Sequence, residues 1–387
     1  MSTFMKWNLV KLILVINGLD SGGAEKSTLK LCQGLIQDGH EVLLTTITSS
    51  VDFYTLKSNL RRINLESALD KLPFFLNQRK GFRRLFHWYL SFKKILRLRR
   101  ILVSEKPDCV ISMSAKVTVF TFFATHFLNI PQLGSERIHP NRAIFSHGYI
   151  VDKLRPWIYK HGVSLSVQTN GVAEWCEKNW KVQGNVTPNH IETLPLDSQA
   201  NVISTLLDRE DFALAVSRDH QQKNLDFLLK TWSLVEKLNS ELQLILVGPE
   251  KTERVENVSK NLSLTSFTPI IRTENTSPYF EKSKLFLSTS KFEGFPNVIL
   301  EAISFGIPVI TTPSCDLVEE FALHGAAIVV DSLDPEVFAQ HIVDLFNDPE
   351  RLSTMSHCAK TLARKYSWEM VREDWYLAIQ NAITRKS

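Results

Sequence analysis

Two glutamates, Glu293 and Glu301, stand in KFEGFPNVILEAISFGIPVI, residues 291–310, a stretch that is otherwise almost wholly apolar. A carboxylate only accepts hydrogen bonds, through two oxygens, and a ribose offers two adjacent hydroxyl donors, so each satisfies the other. Leaving Glu301 buried and unpaired between Leu300, Ala302 and Ile303 would be costly. A docked diol would remove that cost; solvent or a structural arginine would do so equally well. Pro296 or Asn297 suits the opening of a helix and Gly306 its end, which places Asn297 and Glu301, four apart, on one face. Backbone N–H groups at that opening, with the positive end of the helix dipole, suit a diphosphate.

A second candidate is AVSRDHQQKNLDFLL, where Arg218 and Lys223 flank a loop between an apolar strand pattern and a helical one. Two cations after a strand can hold the phosphates of a leaving nucleotide, or can simply be solvated. A third is NGLDSGGAEKS, in which Gly22 and Gly23 can bring backbone close to a ligand or serve only the chain reversal. It is not a phosphate-binding P-loop, because Glu25 stands where that loop requires glycine before Lys-Ser. No metal-binding Asp-x-Asp is evident, and the acidic cluster Asp208-Arg209-Glu210-Asp211 precedes a strand instead of following one. Protein cations and helix N–H groups are therefore expected to neutralise a departing diphosphate without a metal or cofactor.

The elements that must position these residues alternate. Strand patterns at Lys11–Asn17, His40–Ile47, Asp108–Met113, Pro131–Glu136 and Val163–Gln168 form one βα series. A second series runs through Phe212–Ser217, Leu242–Glu250, Ser283–Ser290 and Gly306–Pro313. Between them, residues 184–204 carry prolines and polar residues and read as a connection. The end of the chain is a periodic helix with Trp368, Val371, Trp375 and Ile379 near one face. In open parallel sheets ligands sit beyond the carboxyl ends of the strands, where all three candidates fall.

A chain of 387 residues exceeds what one core usually organises, and 44% hydrophobic with 22% charged residues describes an ordinary folded protein. A net charge of +4 is too small for a nucleic-acid binder by charge alone. Five scattered cysteines without a Cys-x-x-Cys pair argue against a disulfide framework or structural zinc, and point to a reducing cytoplasm. The N-terminal apolar run stops at Asn17-Gly18 and reads as a strand, and no run reaches membrane-spanning length. The excess positive charge is local: residues 79–100, RKGFRRLFHWYLSFKKILRLRR, contain no acid. Arg83, Arg84, Lys93 and Lys94 beside Phe82, Phe86, Tyr89, Phe92 and Leu96 have the pattern of a helix on an anionic membrane surface, or of a packed helix with snorkelling cations.

Taken in order, GGAEKSTLKLCQGLIQDGHEVLLTT, TPNHIE, SRDHQQKNLDFLL and EGFPNVILEAISFGIPVI resemble the motifs of glycosyltransferase family 4, retaining enzymes of the GT-B fold. The resemblance spans nearly the whole chain, and its most specific part is the Glu-x7-Glu spacing of Glu293 and Glu301. It implies two Rossmann-like doubly wound α/β domains facing a central cleft: 1–195 on the acceptor side, 196–367 binding the nucleotide sugar, and a helix 368–387 crossing back to the first domain. Glu293 would contact the donor sugar, Glu301 the ribose, and Arg218 with Lys223 the diphosphate. Gly294, Phe295, Pro296 and Asn297 would complete the donor loop, and Gly22 and Gly23 would border the cleft. LGSERIHP is similar to a segment of members that build bacterial surface polysaccharides. Arg137 stands where many members place a histidine, with His139 nearby as a substitute or as an ordinary loop residue.

The resulting expectation is a metal-independent retaining transferase moving a sugar from a nucleotide diphosphate sugar, a UDP-sugar by preference, to a lipid-linked glycan or lipopolysaccharide. It would act in the cytoplasm, peripherally on the inner face of the membrane, without nucleic acid. A GT-B epimerase and a non-catalytic sugar-nucleotide-binding partner in polysaccharide assembly are the competing readings.

Overall fold

The computed structural model describes residues 8–20, 22–48, 52–67, 80–142, 148–191 and 206–386. They form two compact units: unit 1 is Met1–His190 with Val371–Ser387, and unit 2 is Ile191–Met370.

Unit 1 is built on seven strands, β1 (Lys11–Ile16), β2 (Glu41–Thr46), β3 (Arg61–Asn64), β4 (Cys109–Met113), β5 (Gln132–Ser135), β6 (Val163–Val167) and β7 (Gly184–Val186). Their order is β3-β2-β1-β4-β5-β6-β7, and every pairing is parallel. Parallel strands covered on both faces need apolar side chains in succession, and β1 and β4 have them, with Leu12 to Val15 and Cys109 to Ile111 fully buried. The short stretch expected to open a connection at Gly184 instead adds β7 to the sheet edge. Residues 192–205, the remainder of that expected connection, lie outside the described residues.

Unit 2 carries β8 (Glu210–Val216), β9 (Gln243–Val247), β10 (Phe267–Ile270), β11 (Ser283–Ser288), β12 (Val309–Thr311) and β13 (Ala327–Val329). The order is β10-β9-β8-β11-β12-β13, again parallel throughout. In both units the chain winds outward from one strand, returns, and winds the other way. The reversal falls between β1 and β4 in unit 1 and between β8 and β11 in unit 2. Adjacent crossovers there leave on opposite faces and open a crevice at the strands' carboxyl ends.

The helix Trp368–Lys386 closes the sequence, and its residues from Val371 belong to unit 1. Trp375 is buried, and its indole N–H donates to the Pro188 carbonyl at 3.0 Å. Tyr376 donates to Asp38, which also faces Arg372, and Arg385 donates to the carbonyls of Tyr159 and Val163.

Candidate functional site

The reversal point of unit 2 brings together two segments that are 70 residues apart in sequence. After β8 the chain makes a short turn at Gln221–Lys223, passes Asn224 in the left-handed region at φ 54°, and enters the helix Leu225–Leu238. After β11 it runs through residues 289–296 into the helix Asn297–Ser304. The Lys223 ammonium meets the Glu293 carboxylate at 2.6 Å, with side chains only 18% and 12% exposed. Gln222 donates its side-chain amide to the Phe292 carbonyl at 2.7 Å, and its own carbonyl accepts from the Lys291 amide at 2.8 Å. Thr289 Oγ1 donates to the Lys223 carbonyl, and the Glu293 amide donates to the Ser314 carbonyl after β12. The loop bearing Glu293 is thus tied on both sides by backbone groups.

Arg218 lies in the same loop and is exposed. Its neighbour Asp219 receives Arg254 from two nitrogens, and the same guanidinium reaches Asp226 at 2.7 Å, which clamps the loop to the helix Glu253–Asn261. Gly248 at the end of β9 has φ +127°, and a Cβ there would stand 2.7 Å from the Ser217 carbonyl oxygen. Only glycine allows the β9 turn to pass this close beneath the start of the loop.

The helix Asn297–Ser304 opens after Pro296, and the Asn297 amide is satisfied by the Phe295 carbonyl at 2.9 Å. The amides of Val298 and Ile299 precede the first intrahelical bond, from Leu300 to Pro296. The far end closes with Gly306 at φ +68°, its amide on Ile303 and that of Ile307 on Ala302. This paired bonding satisfies the last carbonyls. Arg209, buried, donates to the Phe305 carbonyl at 2.8 Å. Ile299, Leu300, Ala302 and Ile303 are buried, while Asn297, Glu301 and Ser304 are half-buried along the opposite side. Glu301 is therefore embedded in sequence but not in space, because the helical period turns it away from its apolar neighbours. Gly294 is half-buried in the same loop, and Phe295 and Pro296 are buried.

In unit 1, Gly22 caps the helix Gly23–Gln37. The Glu25 carboxylate folds back over Gly22, so that a Cβ there would lie 1.9 Å from Glu25 Oε2. Arg137 lies two residues past β5, and its Nη2 reaches Ser27 Oγ in that helix at 2.6 Å and Asn189 Oδ1. Burial pushes the guanidinium pKa down to about 10, against the pull of Glu25. His139 stays nearer the surface. Its Nδ1 accepts from the Asn141 amide and its ring meets Trp175 edge-on, so its ring is engaged in holding a turn.

The strand end before Arg137 is fixed by Glu136, a buried carboxylate that accepts from Arg155 at 3.0 Å and from the Tyr159 hydroxyl at 2.8 Å. Desolvation raises the Glu136 pKa, and both donors oppose that rise. The sequence does not single out Ser27, Asn189, Gln222 or Ser314, because a small or polar residue in a loop after a strand, or in the first turns of a helix, is too common to mark one.

The basic segment forms a helix, Lys80–Glu105. The side chains of Arg83 and Arg84 lie outside the described residues. Lys94 does not face outward as expected; it is buried and paired with Glu66 at 3.0 Å. Lys93 is half-buried. Arg97 and Arg99 donate to the carbonyls of Leu65 and Ala124. Trp88, Tyr89 and Phe92 are each more than half accessible, and Arg100 and Val103 are exposed further along the same helix. Among the described residues no helix is long and apolar enough to cross a membrane.

Two doubly wound parallel-sheet units are the arrangement found in GT-B folds, and the sequence comparisons give similarity to glycosyltransferases. Residues 210–348, within unit 2, match the family model Glycosyl transferases group 1. The chain is 25% identical to an uncharacterized glycosyltransferase of Haemophilus influenzae, over 93% of this chain and 97% of that one. It is 24% identical to a Campylobacter jejuni protein, over 95% and 97% of the two chains; that relative is named an alpha-1,4-N-acetyl-D-galactosaminyltransferase acting on a diNAcBac-PP-undecaprenol glycan. Its fold is similar to that of Staphylococcus aureus TarM, solved with UDP, at TM-score 0.77 and 13% identity, covering 96% of this chain and all (100%) of that one.

Proposed function

We propose that the protein is a retaining, metal-independent glycosyltransferase that moves a sugar from a UDP-sugar to a lipid-linked glycan or a related surface-polysaccharide acceptor. One observation carries this reading: the reversal point of unit 2 holds the Lys223–Glu293 pair beside exposed Arg218 and the helix opening at Asn297. A cation, a carboxylate and backbone N–H groups at one strand end are what a sugar diphosphate requires. Lys223 has three N–H donors, so its bond to Glu293 leaves capacity for a phosphate oxygen.

In the reaction, the bond from the sugar's anomeric carbon to the diphosphate oxygen breaks, and a bond to the acceptor oxygen forms on the same face. The acceptor proton passes to the departing phosphate. Negative charge grows on that phosphate in the transition state, where Lys223, Arg218 and the helix opening would stabilise it more than in the ground state. Glu293 would hold the sugar hydroxyls and Glu301 the ribose diol. The lipid-diphosphate acceptor in the name of the Campylobacter relative, and UDP in the TarM structure, support the acceptor and donor classes. Membrane attachment would place the exposed aromatic side chains of Lys80–Glu105 at the headgroup level of the inner face.

The test is a screen of sugar nucleotides against lipid-diphosphate glycans, with and without chelator, reading the anomeric configuration of the product by NMR. The expected result is an α-linked product from a UDP-α-sugar, formed equally well in chelator. Inverted product, or loss of turnover on chelation, contradicts the corresponding part of the reading.

A further inference from the structure

At the amino ends of β6 and β7 the surface of unit 1 sinks into a cleft of about 580 Å³, a volume within the range of small-molecule sites. Lys160 ends the helix Tyr149–Lys160 just before β6, Lys181 follows the helix Asn170–Trp180 just before β7, and Arg385 lies in the last turn of Trp368–Lys386. All three line the cleft, and no acidic residue does. Arg385 donates to the carbonyls of Val163, Tyr159 and Lys160, at 3.1, 2.9 and 3.1 Å, and pairs with no carboxylate among the described residues. The ammonium groups of Lys160 and Lys181 belong to exposed residues and have no hydrogen-bond or ion-pair partner among the described residues. Helix ends alone do not account for these charges. Each C-terminus carries about half a negative charge, so three of them cancel only about half of three cations. Lys181 moreover stands in the left-handed region at φ 56°, where a helix ordinarily stops on glycine.

The rest of the lining is polar and partly unsatisfied. Side chains alternate along β6, so Ser164 leaves the strand on the face opposite Val163 and Leu165. It lines the cleft at 5% exposure, yet its hydroxyl has no hydrogen-bond partner among the described residues, whereas a buried hydroxyl is ordinarily paired. Asn381 donates to Asn185 Oδ1 at 2.8 Å and Asn185 to the Leu165 carbonyl at 3.0 Å. These bonds fix two side-chain amides and leave each a further N–H.

We propose that this cleft binds an anionic saccharide, with Lys160, Lys181 and Arg385 meeting its charged groups and Ser164, Asn185 and Asn381 its hydroxyls. Amides and hydroxyls answer sugar hydroxyls, and cations carried on three separate elements answer charges distributed along a ligand. An acidic glycan chain and a free sugar phosphate share this chemistry. The cleft lies at the end of the sheet opposite the strand carboxyl ends, where parallel sheets place their reacting ligands, so it is a second point of attachment. It requires neither sugar transfer nor a UDP-sugar, and its test stands apart from the transfer reading.

The experiment is calorimetric titration of the full chain with trigalacturonate, glucose 6-phosphate and neutral maltotriose, for wild type, Ser164→Ala, and the chain carrying Lys160→Gln with Lys181→Gln. An anion is expected to bind the wild type at least about tenfold more tightly than maltotriose, and the double lysine exchange should weaken it by about tenfold. Ser164→Ala should weaken it by a smaller factor. Both lysines are exposed and unpaired, so the exchange should leave the melting temperature unchanged, and UDP, which reports on unit 2, should bind both chains equally. Trigalacturonate binding more tightly than glucose 6-phosphate assigns the cleft to an acidic chain; glucose 6-phosphate binding at least as tightly assigns it to a sugar phosphate. No binding of either anion, maltotriose binding as tightly as the anions, or equal anion affinity in wild type and the doubly exchanged chain would overturn the proposal.

Discussion

Charged side chains in this protein are placed by what each must do without its ligand. Lys223 and Glu293 neutralise one another at 2.6 Å, and such an arrangement lets two partly buried charges wait without an unpaired cost. On the proposed function, donor binding would exchange part of that pairing for contacts to phosphate and sugar. His190 shows the opposite solution. Burial and the neighbouring Lys30 push its pKa down to about 4, so it folds as a neutral ring. The sign follows from proton linkage: between about pH 6.5 and pH 4 the unfolded chain binds the proton and the folded chain does not. Stability from this group is therefore fully present above pH 6.5 and falls through that window, by up to about 3 kcal/mol. Urea unfolding at pH 7 and pH 5 should show this loss in the wild type and a smaller loss in His190→Asn; equal losses would remove the assignment to this residue.

At the scale of elements, the site is an outcome of strand order. β8 and β11 are adjacent only because each sheet reverses its winding, so loops 70 residues apart share a Lys–Glu pair. The sequence showed the two loops, the helix opening at Pro296–Asn297 and the stop at Gly306, since cap and turn residues act locally. It did not show which carboxylate would meet which cation, because that depends on sheet order. Strands β3, β7, β10 and β13 were likewise illegible; they are short, partly exposed and lie toward the sheet edges, where no long apolar run is needed. Periodicity also misled at Lys94, whose long stem carries its charge inward to Glu66. Gly248 gives a prediction at this scale. A Cβ there would press on the Ser217 carbonyl at 2.7 Å in a left-handed backbone. Gly248→Ala should cost about 1–3 kcal/mol in urea unfolding and shift the loop that carries Arg218 and Lys223. Activity per folded molecule should fall more than tenfold; full activity at reduced stability would separate this loop from function.

For the whole molecule, the sequence disclosed two α/β units because each repeats the same rhythm of apolar strand and amphipathic helix. The acceptor is less legible, since it rests on a surface and not on a motif. Trp88, Tyr89 and Phe92 are exposed together on one helix, and aromatic side chains of this kind settle at lipid headgroups. In flotation with anionic vesicles the wild type should rise with the lipid, whereas Trp88→Ala with Phe92→Ala should remain in the dense fraction. Recovery unchanged by that pair would detach the helix from membrane binding. The central claim lies in unit 2, and the most direct measurement is UDP affinity beside transfer rate in Glu293→Gln. The expected result is a loss of at least a hundredfold in kcat with UDP affinity within about threefold of wild type, an activation cost of roughly 3 kcal/mol. Wild-type turnover in this variant would contradict it.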